Sequence, residues 1–269
     1  MVVRVENSFE ALSQEEWDKY LTMDLFNDMY IKETPLSSLG DLIKNFDTIK
    51  LQELIRAHNN KVGMLKITYA LCRHYFDKGI PDEQWYISPG KNGKSTENFP
   101  EFTEEHWMRK YWFNYFADIF YLKISSLWDS IYEIINEYYH YGVISSSNFN
   151  WRVLEKLQTT NKFLLHELLK GIHDNQIYKD GNKYRIAAAH GTSIGEITDT
   201  VKESQNVLVE IPKDVNDDGK VIMEKVKVDK TITLGVGNYV TTSTIMKHIE
   251  KYSKYSGEKI QEIINILFE

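Results

Sequence analysis

Apolar residues recur at three- and four-residue steps through most of this chain, the spacing of a single helix face. After Thr103 the pattern is longest: Phe113, Phe116, Phe120, Ile124, Leu127, Ile131, Ile134 and Tyr138 keep it without a gap. Thr103 stands where an N-cap belongs, with Glu104 and Glu105 in the first turn, where the helix dipole favours acids. A helix running from there to Gly142 would be a rod of roughly 60 Å, so a bend or break inside it is expected. A second helix is predicted from Trp151 to about His173, with Leu154, Leu157, Leu165, Leu168 and Ile172 on one face. The turn between the two, Ser145 to Asn150, is short, which predicts antiparallel packing.

Earlier in the chain, residues 14–33 read as a helix capped at Ser13 or a neighbour, and 36–79 as one or two more joined near Asn59-Asn60. Pro81, Pro89, Gly90, Gly93 and Pro100 then mark residues 79–103 as a loop. After Asn175, Arg185 to His190 reads as a further helix ended or bent by Gly191. Ser193 and Glu196 fit a capping box that would restart it. Residues 207–213 and 220–234 alternate apolar and polar positions around Asp217-Asp218-Gly219, a β-hairpin pattern. Helical spacing returns at 241–255 and 258–268. The expected fold is mainly α: a helical bundle with long antiparallel helices and a small β-hairpin insertion. Its parts are N-terminal helices (1–80), a loop (81–103), a helical core (104–204), the hairpin (205–236) and C-terminal helices (237–269), expected by length to form one compact unit.

Composition narrows the function classes. With 14 Gly and 5 Pro in 269 residues there are few helix breakers, which argues against an all-β fold. The single cysteine, Cys72, lies in an apolar run and excludes a disulfide framework or a Cys-rich zinc site. No stretch approaches the ~18 to 20 apolar residues of a membrane span, and no apolar signal region opens the chain. A cytoplasmic protein with no membrane partner is expected. A net charge of −7 disfavours broad electrostatic capture of nucleic acid, so a phosphate-bearing partner would need a local basic patch.

Three motif-like segments fail on inspection. Ser88 to Ser95 nearly matches a P-loop, but Ser88 replaces the first glycine, and Phe99-Pro100 follows where a long helix should begin. Asp214, Asn216 and Asp218 resemble the opening of an EF-hand loop, yet position twelve, which needs a bidentate glutamate, is Lys225. His166-Glu167 starts like a zinc-protease helix, but Lys170 stands where the second histidine belongs. The other histidines are scattered, and neither metal nor cofactor is expected.

Arg185-Ile186-Ala187-Ala188-Ala189-His190 differs in character. Three alanines between a fixed cation and an imidazole permit close approach of another helix or subunit. Arginine grips phosphate through a planar fork, and histidine moves protons near neutral pH. Together they suit metal-free cleavage of an RNA phosphodiester, histidine as acid or base and arginine stabilising charge on phosphorus. Five residues along a helix turn through about 140°, so the two do not share a face unless a helix end or arginine's length brings them together.

This Arg-x4-His element, late in a helical chain after two long helices, resembles the defining motif of the HEPN superfamily (higher eukaryote and prokaryote nucleotide-binding). The resemblance covers about residues 104–200. It implies that Arg185 and His190 are the motif residues and that the protein is a homodimer with two motif helices around a shared cleft. It further implies metal-independent endoribonuclease action on RNA, in defence, toxin–antitoxin or stress response, with an antitoxin as a possible partner. One position departs from the pattern: members with activity usually carry a polar residue after the arginine, and here it is Ile186. The same face thus also suits a non-catalytic helical dimerisation or interaction module. Two residues are candidates for support. Asn161 falls within the second helix's apolar stripe, where an amide needs a partner. Asp129 belongs to a polar stripe with Asp118, Ser125 and Asn136, opposite the aromatic face, and the resemblance implies a carboxylate from an adjacent helix. The aromatic stripe itself reads as core.

Overall fold

The computed structural model describes residues 8–33, 46–93, 96–215 and 219–268. Ser13 opens α1 (Gln14–Leu21) with a capping box: its hydroxyl accepts from Glu16 N, and the Glu16 carboxylate accepts from Ser13 N. This helix is shorter than the expected 14–33. It stops at Thr22, whose hydroxyl donates back to the Asp18 carbonyl at 2.7 Å, and a 3-10 turn (Asp24–Met29) follows.

Helix α2 (Phe46–Asp77) runs unbroken through Asn59-Asn60, where a joint was expected. The Asn59 amide has another use. It accepts from Ile31 N at 3.0 Å and donates to Ile31 O at 2.9 Å, pairing an extended backbone segment as a neighbouring strand would. The expected helical residues 36–45 lie outside the described residues. Within the loop before Thr103, β1 (Tyr86–Ile87) and β2 (Glu97–Asn98) pair, antiparallel.

Thr103 caps α3 (Glu104–Tyr138), a single helix of 35 residues with no break. Its partners explain the straight run, because buried side chains lie on more than one face and neighbouring helices support it along its length. Contacts with α2 fall in reverse order along the two chains: Cys72 with Phe113, Lys61 with Ser126, His58 with Ser130, Lys50 with Glu137. The pair is therefore antiparallel. Phe113, Phe116, Phe120, Ile124, Leu127, Ile131 and Ile134 are all buried, so the aromatic stripe is core, each large side chain contributing about 1.5–3 kcal/mol.

After α3 the chain reverses at His140 and Gly142, both with positive φ. The expected 151–173 helix is two helices, α4 (Phe149–Thr159) and α5 (Phe163–Asp174). Asn161 sits at their joint with φ 60°, a left-handed conformation that asparagine tolerates better than most side chains. Helix α6 (Gln176–His190) starts nine residues before Arg185, capped by Asn175, whose Oδ1 accepts from Ile177 N at 2.9 Å. It lies antiparallel to α3: Tyr178 meets the Trp128 ring at 5.8 Å and Tyr184 meets Tyr121 at 5.1 Å.

The expected helix restart at Ser193 does not occur. Residues 191–195 instead fold onto α3, where the Gly195 carbonyl accepts from Lys110 Nζ and from Asn114 Nδ2. A Cβ on Gly195 would stand 2.0 Å from Asn114 Oδ1, so glycine is needed for this approach. The C-terminal segment is one helix, α7 (Thr242–Phe268), not two. Gly257, which lies between the two expected helices, is a contact point: a Cβ there would meet Asp28 Cβ at 3.1 Å. Asp82, from the loop after α2, caps α7 by accepting from Thr242 N and its hydroxyl at 2.8 and 3.0 Å.

The chain divides into two compact units, residues 1–195 with 241–269, and residues 196–240. The second holds a long antiparallel hairpin, β3 (Val201–Val215) with β4 (Val221–Leu234), in register Val209 to Val226. Strand β3 exceeds the expected 207–213 at both ends, β4 matches the expected 220–234 to within one residue, and residues 216–218 of the turn lie outside the described residues. The ladder shifts between Pro212 and Asp214, at the residue that lacks an N–H.

Candidate active site on the motif helix

Helix α6 is held from two sides. On one, Tyr121 and Trp128 of α3 meet Tyr184 and Tyr178. On the other, α7 presents His248 and Tyr252. His248 Nδ1 bonds the Tyr121 hydroxyl at 2.9 Å and its Nε2 bonds the Ile177 carbonyl at 3.2 Å, joining three helices through one ring. Burial lowers the His248 pKa, so the ring is neutral near pH 7 and suited to this bridging. His173 plays a like part at the other end, bonding the Tyr132 hydroxyl at 2.6 Å, and burial lowers its pKa too.

What remains of α6 faces outward: Asn182, Lys183, Ile186, Ala189 and His190 are exposed, and Arg185 is half-buried at the flank. His190 is the last residue of the helix, and its imidazole makes no hydrogen bond among the described residues. The Arg185 guanidinium is bonded through Nε and Nη2 to Asn182 Oδ1, at 3.4 and 3.2 Å, and has no ion pair among the described residues. Arg56, Arg73 and Arg109 each hold a carboxylate. Arg185 is thus seated by a neutral amide that leaves its charge uncompensated.

Asp129 lies at the edge of this helix pair. The phenol of Tyr178 is pushed up to about 12, first by burial and then by Asp129, while Arg185 acts in the opposite sense. One buried ring therefore senses both candidate charges. Asp129 Oδ1 accepts from Asn150 Nδ2 at 2.8 Å and lines a cavity of about 370 Å³ with Glu133 and the Ser145–Trp151 segment. The polar stripe is not a wholly solvated face: Asp118, Ser125 and Asn136 are half-buried, and only Asp129 is exposed. Asn136 holds the turn after α3 by pairing with the Val143 backbone at 3.0 and 3.3 Å.

Asn161 is exposed at the α4–α5 joint. The expectation of an amide within an apolar stripe fails because the helix ends there and its periodicity restarts after Lys162. No signal in the sequence marked His248, Tyr252 or Gly181 as the seat of α6, since they contact partners far along the chain. Among the described residues, no group of three or more His, Cys, Asp or Glu side chains is placed to hold a metal ion, and no helix is long and apolar enough to cross a membrane.

Comparison with curated proteins and with solved structures gives no match. A family model described as Cthe2314-like HEPN matches residues 54–253, from the middle of α2 to the middle of α7. That span takes in α3, the motif helix and the hairpin, well over half of the chain, and the protein belongs to the HEPN superfamily.

Proposed function

We propose that this protein is a metal-independent endoribonuclease acting as a homodimer, with Arg185 and His190 as its catalytic pair. The observation that carries this reading is the state of the two side chains. A guanidinium without a carboxylate and an imidazole without a bond stand on the outward side of a helix whose other sides are locked. In cleavage, His190 takes the proton of the ribose 2′-hydroxyl as its oxygen attacks phosphorus, or supplies the proton to the departing 5′-oxygen. Arg185 stabilises the charge on the non-bridging oxygens. The products are a 2′,3′-cyclic phosphate and a free 5′-hydroxyl. The offset of about 140° along one helix is met by pairing two α6 faces, so that His190 of one protomer serves beside Arg185 of its partner. Asp129 would orient groups at the rim. A cytoplasmic role in defence, stress or a toxin–antitoxin pair, with an antitoxin as partner, accords with this chemistry.

A second reading has its own support. Ile186 is 46% exposed, one turn before His190 and on its face. An apolar side chain there favours a dimer contact over polar catalysis, which suits a non-catalytic dimerisation module. Incubation of wild type, Arg185→Ala and His190→Ala with RNA in EDTA separates the two. Cleavage by wild type alone supports the nuclease; cleavage by all three removes this site, and cleavage by none favours the dimerisation module.

A further inference from the structure

Between α4 and α5 lies a second cavity, of about 350 Å³, that no part of the proposed reaction uses. Trp151, Leu154, Glu155, Gln158, His166 and Lys170 line it. Its volume falls within the range of small-ligand sites, roughly 300–1,000 Å³. Trp151 is 72% exposed, a costly placement for the largest apolar side chain unless something covers it. Trp151 lines both this cavity and the Asp129 cavity.

The geometry points to a nucleotide subsite here. The chemistry of the lining divides into three parts that match the three parts of such a ligand. An exposed indole offers a stacking face to a planar base. Gln158 and Glu155, one turn apart on α4, present an amide and a carboxylate to the base edge, where donors and acceptors alternate. Lys170, on α5, has no ion pair among the described residues and supplies a cation for phosphate, while His166 is occupied by Glu167 at 3.0 Å. Leu154 provides an apolar floor. A bare phosphate would leave the indole unused, and a purely apolar ligand would leave Lys170, Gln158 and Glu155 without partners. The ligand is therefore a base joined to a phosphate, either a free mononucleotide or an unpaired nucleotide of an RNA strand. Trp151 adjoins Asn150, which is bonded to Asp129, so a strand seated here would pass the rim of the motif helix.

This subsite stands on the α4–α5 cavity alone and holds whether or not Arg185 and His190 cleave RNA. The test is calorimetric titration of the full chain with AMP, GMP, CMP and UMP, their nucleosides, inorganic phosphate and a single-stranded RNA octamer with 2′-O-methyl riboses, which lack the hydroxyl that cleavage needs. Nucleotides are expected to bind more tightly than nucleosides or phosphate. Trp151→Ala should weaken them by about five- to a hundred-fold, the usual worth of one stacked base, and Trp151→Phe should retain most of the affinity. Lys170→Gln should weaken nucleotides and leave nucleosides unchanged. An octamer that binds more tightly than any mononucleotide, with the same dependence on Trp151, assigns the site to an RNA strand; equal affinity assigns it to the free nucleotide. Affinities equal in wild type and Trp151→Ala, or no binding of nucleotide or RNA by wild type, overturn the proposal. Because the octamer resists cleavage and cleavage is read separately on unmodified RNA, failure of the subsite and failure of the nuclease remain distinct.

Discussion

A Cβ placed on Gly181 would lie 2.4 Å from Cε1 of Tyr252 and within 3 Å of two further ring atoms. The motif helix therefore rests with its backbone against a buried tyrosine of α7, and no side chain fits between them. This contact fixes the rotation of α6 about its own axis. With Gly181 inward, Ile186 and His190 face out and Arg185 lies at the flank.

Replacing Gly181 with alanine should reverse the ordinary effect of that substitution. Inside a helix the change usually stabilises by up to ~1 kcal/mol; here overpacking should destabilise by about 1–3 kcal/mol. Gly171 on α5 is the control, because it is exposed and nothing lies within 4 Å of an added Cβ. Urea denaturation should show Gly171→Ala at or above wild-type stability and Gly181→Ala below it. Equal effects would refute the close approach.

For the catalytic pair, His190→Ala should lower RNA cleavage in EDTA by about 10²- to 10⁴-fold, the scale of one general acid or base. The melting temperature should hold, because the ring is exposed and unbonded. Ile186→Asn tests the departure at the neighbouring position. Under the nuclease reading it should raise cleavage by about tenfold. Under the dimerisation reading it should weaken self-association, measured by sedimentation, and produce no cleavage.

Asp82 should matter to stability far more than a loop carboxylate ordinarily does. It is 1% exposed and accepts two hydrogen bonds at the start of α7. Asp82→Ala leaves the Thr242 N–H and hydroxyl buried without that partner, at a cost of about 2–4 kcal/mol. Asp82→Asn keeps one acceptor and should recover about half of the loss. A thermal melt of both variants checks the order.

Acid should destabilise the fold through His58. Its ring is buried between Ser130 Oγ at 2.8 Å and the Met29 carbonyl at 2.9 Å, and burial lowers its pKa from 6.5 to about 4. Above pH 6.5 neither folded nor unfolded chain holds the proton, so the contribution is complete. As pH falls from 6.5 towards 4 the unfolded chain takes up a proton that the folded chain refuses, and up to about 3 kcal/mol is lost. His58→Gln should remove about 1 kcal/mol per pH unit from the stability slope between pH 5 and 6. His173 and His248, shifted in the same direction by burial, should leave a residual slope.

The sequence by itself determined what depends on neighbours close along the chain. Periodicity found α3 and its buried face, Thr103 its cap, and Asp217-Asp218-Gly219 the place of the hairpin. The Arg-x4-His spacing, set late in a chain with helical periodicity before it, pointed to the superfamily. Tertiary structure decided everything that depends on a distant partner. Asn59 looked like a helix joint and instead serves Ile31; residues 256–257 fell between two expected helices and lie inside one, with Gly257 against the 3-10 turn; Asn161 looked buried and ends a helix. Asp82 and Thr242 stand 160 residues apart and meet at a helix start. Helix signals decay within a turn or two, so a polar or small residue reads the same whether it interrupts a helix or pairs across the bundle. Only the packed chain, which supplies its partner, distinguishes the two.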